Sequence, residues 1–220
     1  MQTLTGELIR AGWAGRVVSR AQLARLLDGT PQRRYNLVNR ALRHGELLQL
    51  RRGLYLVAPH LHGKPPHPFV LAQALQPGSY VSFETALSFH GWIPESVPVT
   101  LSVLPGRRRL ECDLMALGLF RFYPLALRRG HFLAAVDRQV FVDRAGLVAQ
   151  PLRALLDIVC HRRLEDAAIR ALLPSLRIDA ELLRQTPART WQALQQVYAT
   201  KRMAMAIETL HNVLIEEQAA

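Results

Sequence analysis

Gln32, Asn36, Asn39 and Arg43 recur at intervals of four, three and four residues, a spacing that lines side chains along one face of a helix. Their types are those that read base edges. Arginine donates a pair of hydrogen bonds to guanine, and Asn and Gln make bidentate pairs with adenine. Arg33, Arg40 and Tyr35 lie on the flanks of that face, and Arg34 completes the candidate DNA contacts of this segment. Further along, Arg51-Arg52-Gly53 falls between two short apolar runs, Leu47–Leu50 and Leu54–Val57. That pattern predicts a hairpin with arginines at its tip. Taken alone, a polar helix face is more often a solvated surface, and an Arg-Arg-Gly tip is more often an ordinary exposed turn. The weight of the reading comes from their combination.

The elements that must hold these residues carry local marks. Leu4, Leu8 and Ile9 share one helical face, closed by Gly12, and Val17-Val18 follows as a short extended piece. Ser19 with Gln22 three residues later has the capping-box spacing, where each side chain satisfies an orphan backbone donor. The helix beginning there places Leu23, Leu26 and Leu27 on one side. Asp28-Gly29-Thr30-Pro31 then reads as a tight turn, a cap and a proline at the first helical position. The next helix, about Pro31 to His44, turns Leu37, Val38, Ala41 and Leu42 inward, opposite the Gln, Asn and Arg face. Three helices and a basic-tipped hairpin in this order predict a winged helix-turn-helix over residues 1–58, with the third helix suited to the major groove and the wing to a neighbouring groove or the backbone.

Charge points the same way. The 220-residue chain carries 28 basic against 17 acidic residues, a formal +11. Residues 1–58 hold ten arginines against Glu7, Asp28 and Glu46, most of that excess in about a quarter of the chain. A basic block on a small module is the footprint of a polyanion binder. The preference for arginine over lysine (26 to two) decides nothing, because a GC-rich genome produces it equally. The longest uncharged stretch, 65–83, contains four prolines and Gly78, so it does not read as a membrane span. The N-terminus has no signal-peptide pattern. Cys112 and Cys160 form no C-x-x-C pair, so neither a disulfide scaffold nor a zinc ribbon is indicated. The expectation is a cytoplasmic protein without membrane partner, metal or cofactor.

Residues 59–68, PHLHGKPPHP, read as a linker. Its three histidines, His60, His62 and His67, have no fourth ligand at a recognisable spacing. Residues 69–220 read as a mixed α+β domain with a helical C-terminal region. A short helix over 69–75 precedes the extended pair Tyr80-Val81, and Ser82 is placed to cap a helix ending at His90, whose ring suits the helix dipole. Strands are expected at Val99–Val103, Leu119–Phe122, Phe132–Val136, Val140–Val142 and Leu147–Ala149, with turns at Pro105-Gly106, Arg129-Gly130 and Ala145-Gly146. Pro151 opens a helix with Leu152, Leu155, Leu156 and Val159 inward. Further helices run from Leu164 to a stop at Pro174, over Ala180–Leu183, and over 191–217 with a break near Thr200. No nucleophile with its base, phosphate loop or carboxylate pair is legible, so the chain reads as a non-enzyme.

Three segments resemble the AbiEi family, the antitoxins of AbiE-type (type IV) toxin–antitoxin systems. Leu47-Leu48-Gln49-Leu50-Arg51-Arg52-Gly53-Leu54-Tyr55 is similar to the family's wing. Tyr80 to Pro94 resembles its tyrosine–serine–alanine–leucine–histidine–glycine segment, and Ala149 to Asp157 its alanine–proline–alanine–leucine–leucine–aspartate helix start. The likeness covers about residues 4–160. It departs at Leu152-Arg153, where members often carry Glu-Lys, and residues 165–220 match nothing in it. The resemblance implies an autorepressor that binds double-stranded DNA at inverted repeats in its own promoter. It also implies that the C-terminal domain antagonises a nucleotidyltransferase-like toxin. The alternatives are a stand-alone winged-helix transcription factor whose second domain senses a ligand or dimerises, and a nucleic-acid-processing enzyme that docks through the wing.

Overall fold

The computed structural model describes residues 4–142 and 144–216. The chain is α+β, with ten α-helices and two sheets among the described residues. None of those helices is long and apolar enough to cross a membrane. Two compact units are present, one ending at Leu75 and the other beginning at Gln76. The 59–68 stretch is therefore counted with the first unit. It contains a short 3-10 turn, Pro59–Leu61, and runs into a helix, Pro68–Leu75.

The first unit is built from α1 (Leu4–Arg10), β1 (Val17–Ser19), α2 (Arg20–Leu26), α3 (Pro31–Arg43), β2 (Leu47–Arg51), β3 (Leu54–Val57) and α4 (Pro68–Leu75). Its sheet has the order β1-β3-β2, antiparallel throughout. The capping box forms: Gln22 N donates to Ser19 Oγ at 3.2 Å and Ser19 N donates to Gln22 Oε1 at 2.8 Å. Leu4, Leu8, Val18, Leu23, Leu27, Ala41, Leu47 and Val57 make the core. Each such leucine withdrawn from water stabilises the fold by about 1.5–3 kcal/mol. Thr5 Oγ1 donates to Glu46 Oε2 at 2.7 Å, tying α1 to the approach of the hairpin.

The second unit holds β4 (Tyr80–Val81), α5 (Phe83–Phe89), β5 (Val99–Val103), β6 (Leu110–Asp113), β7 (Leu119–Tyr123), β8 (Val136–Phe141), β9 (Arg144–Ala149), α6 (Pro151–Arg162), α7 (Asp166–Ser175), α8 (Ala180–Arg184), α9 (Ala188–Gln195) and α10 (Lys201–Glu216). The final position of the expected 191–217 stretch lies outside the described residues. The strands form one mixed sheet of order β6-β7-β5-β4-β9-β8, with β4–β9 and β5–β7 parallel. Phe120 and Phe122, alternate residues of β7, are both fully buried, as the period of a half-buried strand requires. Helix α6 is buried from Leu152 to Cys160 without a break.

Several local expectations give way to long-range pairing. Strand β6 was not legible, because Leu110-Glu111-Cys112-Asp113 is extended only by its pairing with β7. Residues 132–135 are not strand. The carbonyls of Phe132 and Ala134 instead accept from the guanidinium of Arg153, and β8 starts at Val136. Ala145 and Gly146 belong to β9, paired with Val140 and Gln139, rather than to a turn. Pro174 lies inside the last turn of α7, where the missing N–H forfeits one helical bond and Leu176 N still closes on Leu172 O.

Candidate nucleic-acid interface

Helix α3 begins with Thr30 Oγ1 accepting from Arg33 N at 3.2 Å and with Pro31 at its first position. The turn before it needs glycine. Gly29 has φ +97°, and a Cβ there would come within 2.9 Å of Arg33 Cδ. Ala41 is buried, and Leu37, Val38 and Leu42 pack against the same core. The opposite side is solvent-exposed at Gln32, Arg33, Tyr35, Asn36, Arg40 and Arg43, while Asn39 is half-buried. Gln32 Nε2 donates to Asn36 Oδ1 at 3.1 Å. That bond holds the two amides side by side, so that each keeps donors or acceptors facing outward.

Arg34 stands apart from the other candidates. Its Nη1 donates to Ala24 O at 2.7 Å and lies 3.4 Å from Leu27 O. It thereby satisfies carbonyls left open at the end of α2 and fixes α2 against α3.

At the hairpin, the register shifts between Gln49 and Arg51, and Gly53 turns the chain with φ +77°. Arg51 and Arg52 are both exposed. Strand β1 pairs with β3 so that Arg20 N donates to Gly53 O at 2.8 Å. Arg20 therefore joins the hairpin tip from a distant part of the chain. A groove of about 390 Å³ runs between α3 and the hairpin, lined by Arg20, Arg34, Tyr35, Asn39, Gln49 and Arg52 among others. Arg20 and Gln49 were missed in the sequence. The signal for both is the β1–β3–β2 ladder, which no local pattern reveals. Among the described residues, Arg20, Arg33, Arg40, Arg43, Arg51 and Arg52 belong to no ion pair. Their charge is available to an outside anion.

The histidines of the 59–68 stretch do not converge. His62 Nε2 bonds Val57 O at 3.1 Å, and His67 Nδ1 accepts from Phe69 N at 3.2 Å. No three His, Cys, Asp or Glu side chains are grouped to hold a metal among the described residues.

The second unit centres on a buried carboxylate. Asp157 Oδ1 accepts from Arg153 Nε at 3.0 Å and Tyr198 OH at 2.8 Å. Its Oδ2 accepts from Tyr80 OH at 3.0 Å and Ser82 Oγ at 2.7 Å. Arg153 Nη2 donates to the Tyr80 hydroxyl at 2.6 Å. Burial opposes the charge on Arg153, and Asp157 with the two phenols more than offsets it, leaving the guanidinium firmly protonated. Ser82 thus spends its hydroxyl on Asp157 instead of capping α5, and Phe83 enters that helix at φ +56°. His90 is likewise used across the fold. Its Nε2 bonds Ala149 O at 2.9 Å, and burial holds its pKa below the usual histidine value.

No protein-family model matches this chain, and no curated protein matches it either.

Proposed function

We propose that the first unit is a winged helix that binds double-stranded DNA, and that the protein is a non-enzymatic transcriptional autorepressor and antitoxin of the AbiE type. The observation that carries the DNA reading is the outward face of α3. Its amides are aligned by the Gln32–Asn36 bond, and it is flanked by Arg33, Arg40 and Arg43, all outside any ion pair among the described residues. Gln32, Asn36, Asn39 and Arg43 meet base edges in the major groove. Arg51 and Arg52 on the wing grip phosphates. Arg34 is a brace for α3 and not a base contact. The antitoxin half rests on the resemblance of segments 80–94 and 149–157. It is supported by the way Tyr80 and Ser82 from the first segment meet Asp157 from the second, so the similar residues belong to one cluster.

The test is titration of the chain on its promoter's inverted repeats and on random duplexes at several salt concentrations. Substituting a base contact such as Asn36→Ala costs about 1–3 kcal/mol on the specific site and relaxes one position. Arg51→Ala or Arg52→Ala weakens all duplexes alike and lowers the salt slope by about one. If the helix and wing variants behave identically, the groove assignment is wrong. For the antitoxin half, co-expression with the product of the adjacent gene is measured as growth. A wing variant that no longer represses but still rescues growth supports direct antagonism, and loss of rescue with loss of repression removes it.

A further inference from the structure

Arginines from two distant segments gather at one end of the six-stranded sheet. Val103, the last residue of β5, pairs with Tyr123, the last of β7, and Leu104 N donates to Tyr123 O at 3.0 Å. The loop leaving β5 then carries Arg107, Arg108 and Arg109, all exposed. Only Pro105 and Gly106 separate Leu104 from Arg107, so the first of the arginines lies within about 10 Å of that strand end. From the other side, the Tyr123 ring packs against His161 with centroids 4.3 Å apart and planes at 43°. His161 is in the last turn of α6 and is followed directly by Arg162 and Arg163.

The charge at this end is poorly compensated. Arg162 is held by Glu84, and Glu111 is taken by Arg121 at 2.9 Å. Glu165 lies two residues beyond Arg163, at the start of α7. Arg107, Arg108, Arg109 and Arg163 make no side-chain hydrogen bond or ion pair among the described residues. Between them stands an aromatic pair. His161 is exposed, and Tyr123 behind it is also in contact with Phe83, centroids 5.8 Å apart. Partial burial against Tyr123 and Phe83, and then Arg162, hold the His161 pKa below its ordinary value, so at neutral pH its ring offers a π face rather than a charge.

Arginines around an exposed ring are the elements of a stacking platform in a basic setting. Bases within a duplex are stacked on each other and cannot use such a ring. We propose that this end of the second unit binds single-stranded nucleic acid, with Arg107, Arg108, Arg109 and Arg163 on successive phosphates and a base stacked on His161. None of these residues is among those assigned to the duplex on α3 and the hairpin.

The experiment uses the full chain with fluorescent oligo(dT), oligo(U) of equal length, and a duplex, across a salt series. The variant R107A/R108A/R109A is expected to lose on the order of 100-fold in single-strand affinity near 0.1 M salt and about two units of salt slope, with duplex binding unchanged. His161→Ala is expected to lose about tenfold with the slope preserved, and His161→Phe to retain affinity. A stronger effect on oligo(U) than on oligo(dT) identifies RNA as the strand, and equal effects identify either sugar. Wild-type single-strand affinity in the triple variant overturns the proposal. So does single-strand affinity that falls with R51A/R52A instead, or an equal loss of duplex binding in the triple variant. Absence of any duplex binding by the wild type would remove the function proposed above and leave this site standing.

Discussion

Arg153 Nε donates to Asp157 Oδ1 at 3.0 Å across one turn of α6, and neither side chain has any exposed surface. The pair is satisfied on every side. Arg153 reaches the carbonyls of the 132–134 segment and the Tyr80 hydroxyl, and Asp157 collects the hydroxyls of Tyr80, Ser82 and Tyr198. Three segments, 80–82, 132–134 and the one holding Tyr198, therefore close on the Arg153–Asp157 pair.

Removing one partner leaves the other charge buried and alone. Asp157→Ala is expected to destabilise the protein by about 3–5 kcal/mol. The double substitution Arg153→Met with Asp157→Leu removes both charges and is expected to cost much less, because apolar replacements of similar volume are often neutral. Urea unfolding of the three chains checks this. A double variant as unstable as the single one would mean that the hydroxyl and carbonyl partners, not the charge, dominate.

The same cluster sets an alkaline limit. Tyr80 and Tyr198 are both raised well above the usual tyrosine value, by burial first and by Asp157 second. In the unfolded chain these phenols ionise near pH 10. Above that pH the unfolded state binds fewer protons than the folded one, so stability falls as pH rises. The contribution is complete below about pH 10 and is lost progressively beyond it. Of the five tyrosines, two are expected to yield tyrosinate absorbance only as the circular dichroism collapses. Full tyrosine ionisation in a chain that keeps its spectrum would contradict this.

Arg34 and Arg40 are expected to separate stability from binding. Arg34→Ala removes the bonds to Ala24 O and Leu27 O and should lower stability by about 1 kcal/mol, with duplex affinity falling secondarily. Arg40→Ala touches no such bond, so the melting temperature should hold while duplex affinity and salt slope fall by about one phosphate contact. Melting curves and titrations of both variants are compared side by side. Identical behaviour would remove the distinction between brace and contact.

The caps of α2 and α3 hold the outward side of α3 in place. Ser19→Ala removes the hydroxyl that accepts from Gln22 N while the bond from Ser19 N to Gln22 Oε1 stays available, and Thr30→Ala breaks the bond from Arg33 N. Each is expected to cost about 0.5–2 kcal/mol, and replacement by Asp or Asn to cost little. Chemical denaturation measures both, with no change in the second unit's buried cluster.

What the sequence determined by itself is the content that depends on neighbours a few residues apart. Ser19 with Gln22, Gly29-Thr30-Pro31 and Gly53 act within one turn, so the starts of α2 and α3 and the position of the hairpin turn were legible. The split of α3 into Leu37, Val38, Ala41 and Leu42 against the Gln, Asn and Arg side followed from the helical period alone. Tertiary structure decided everything whose partner is remote. Arg20 reaches the hairpin tip through β1, β6 exists because β7 lies beside it, and Phe132–Ala134 is irregular because Arg153 takes its carbonyls. Ser82 looked like a cap because capping is the local use of a serine, yet its hydroxyl serves a carboxylate 75 residues away. Arginine in an otherwise apolar helix turn carries no sequence mark of burial. Only the convergence of Asp157, two phenols and two backbone carbonyls offsets the loss of its hydration, and that convergence exists only once the chain has folded.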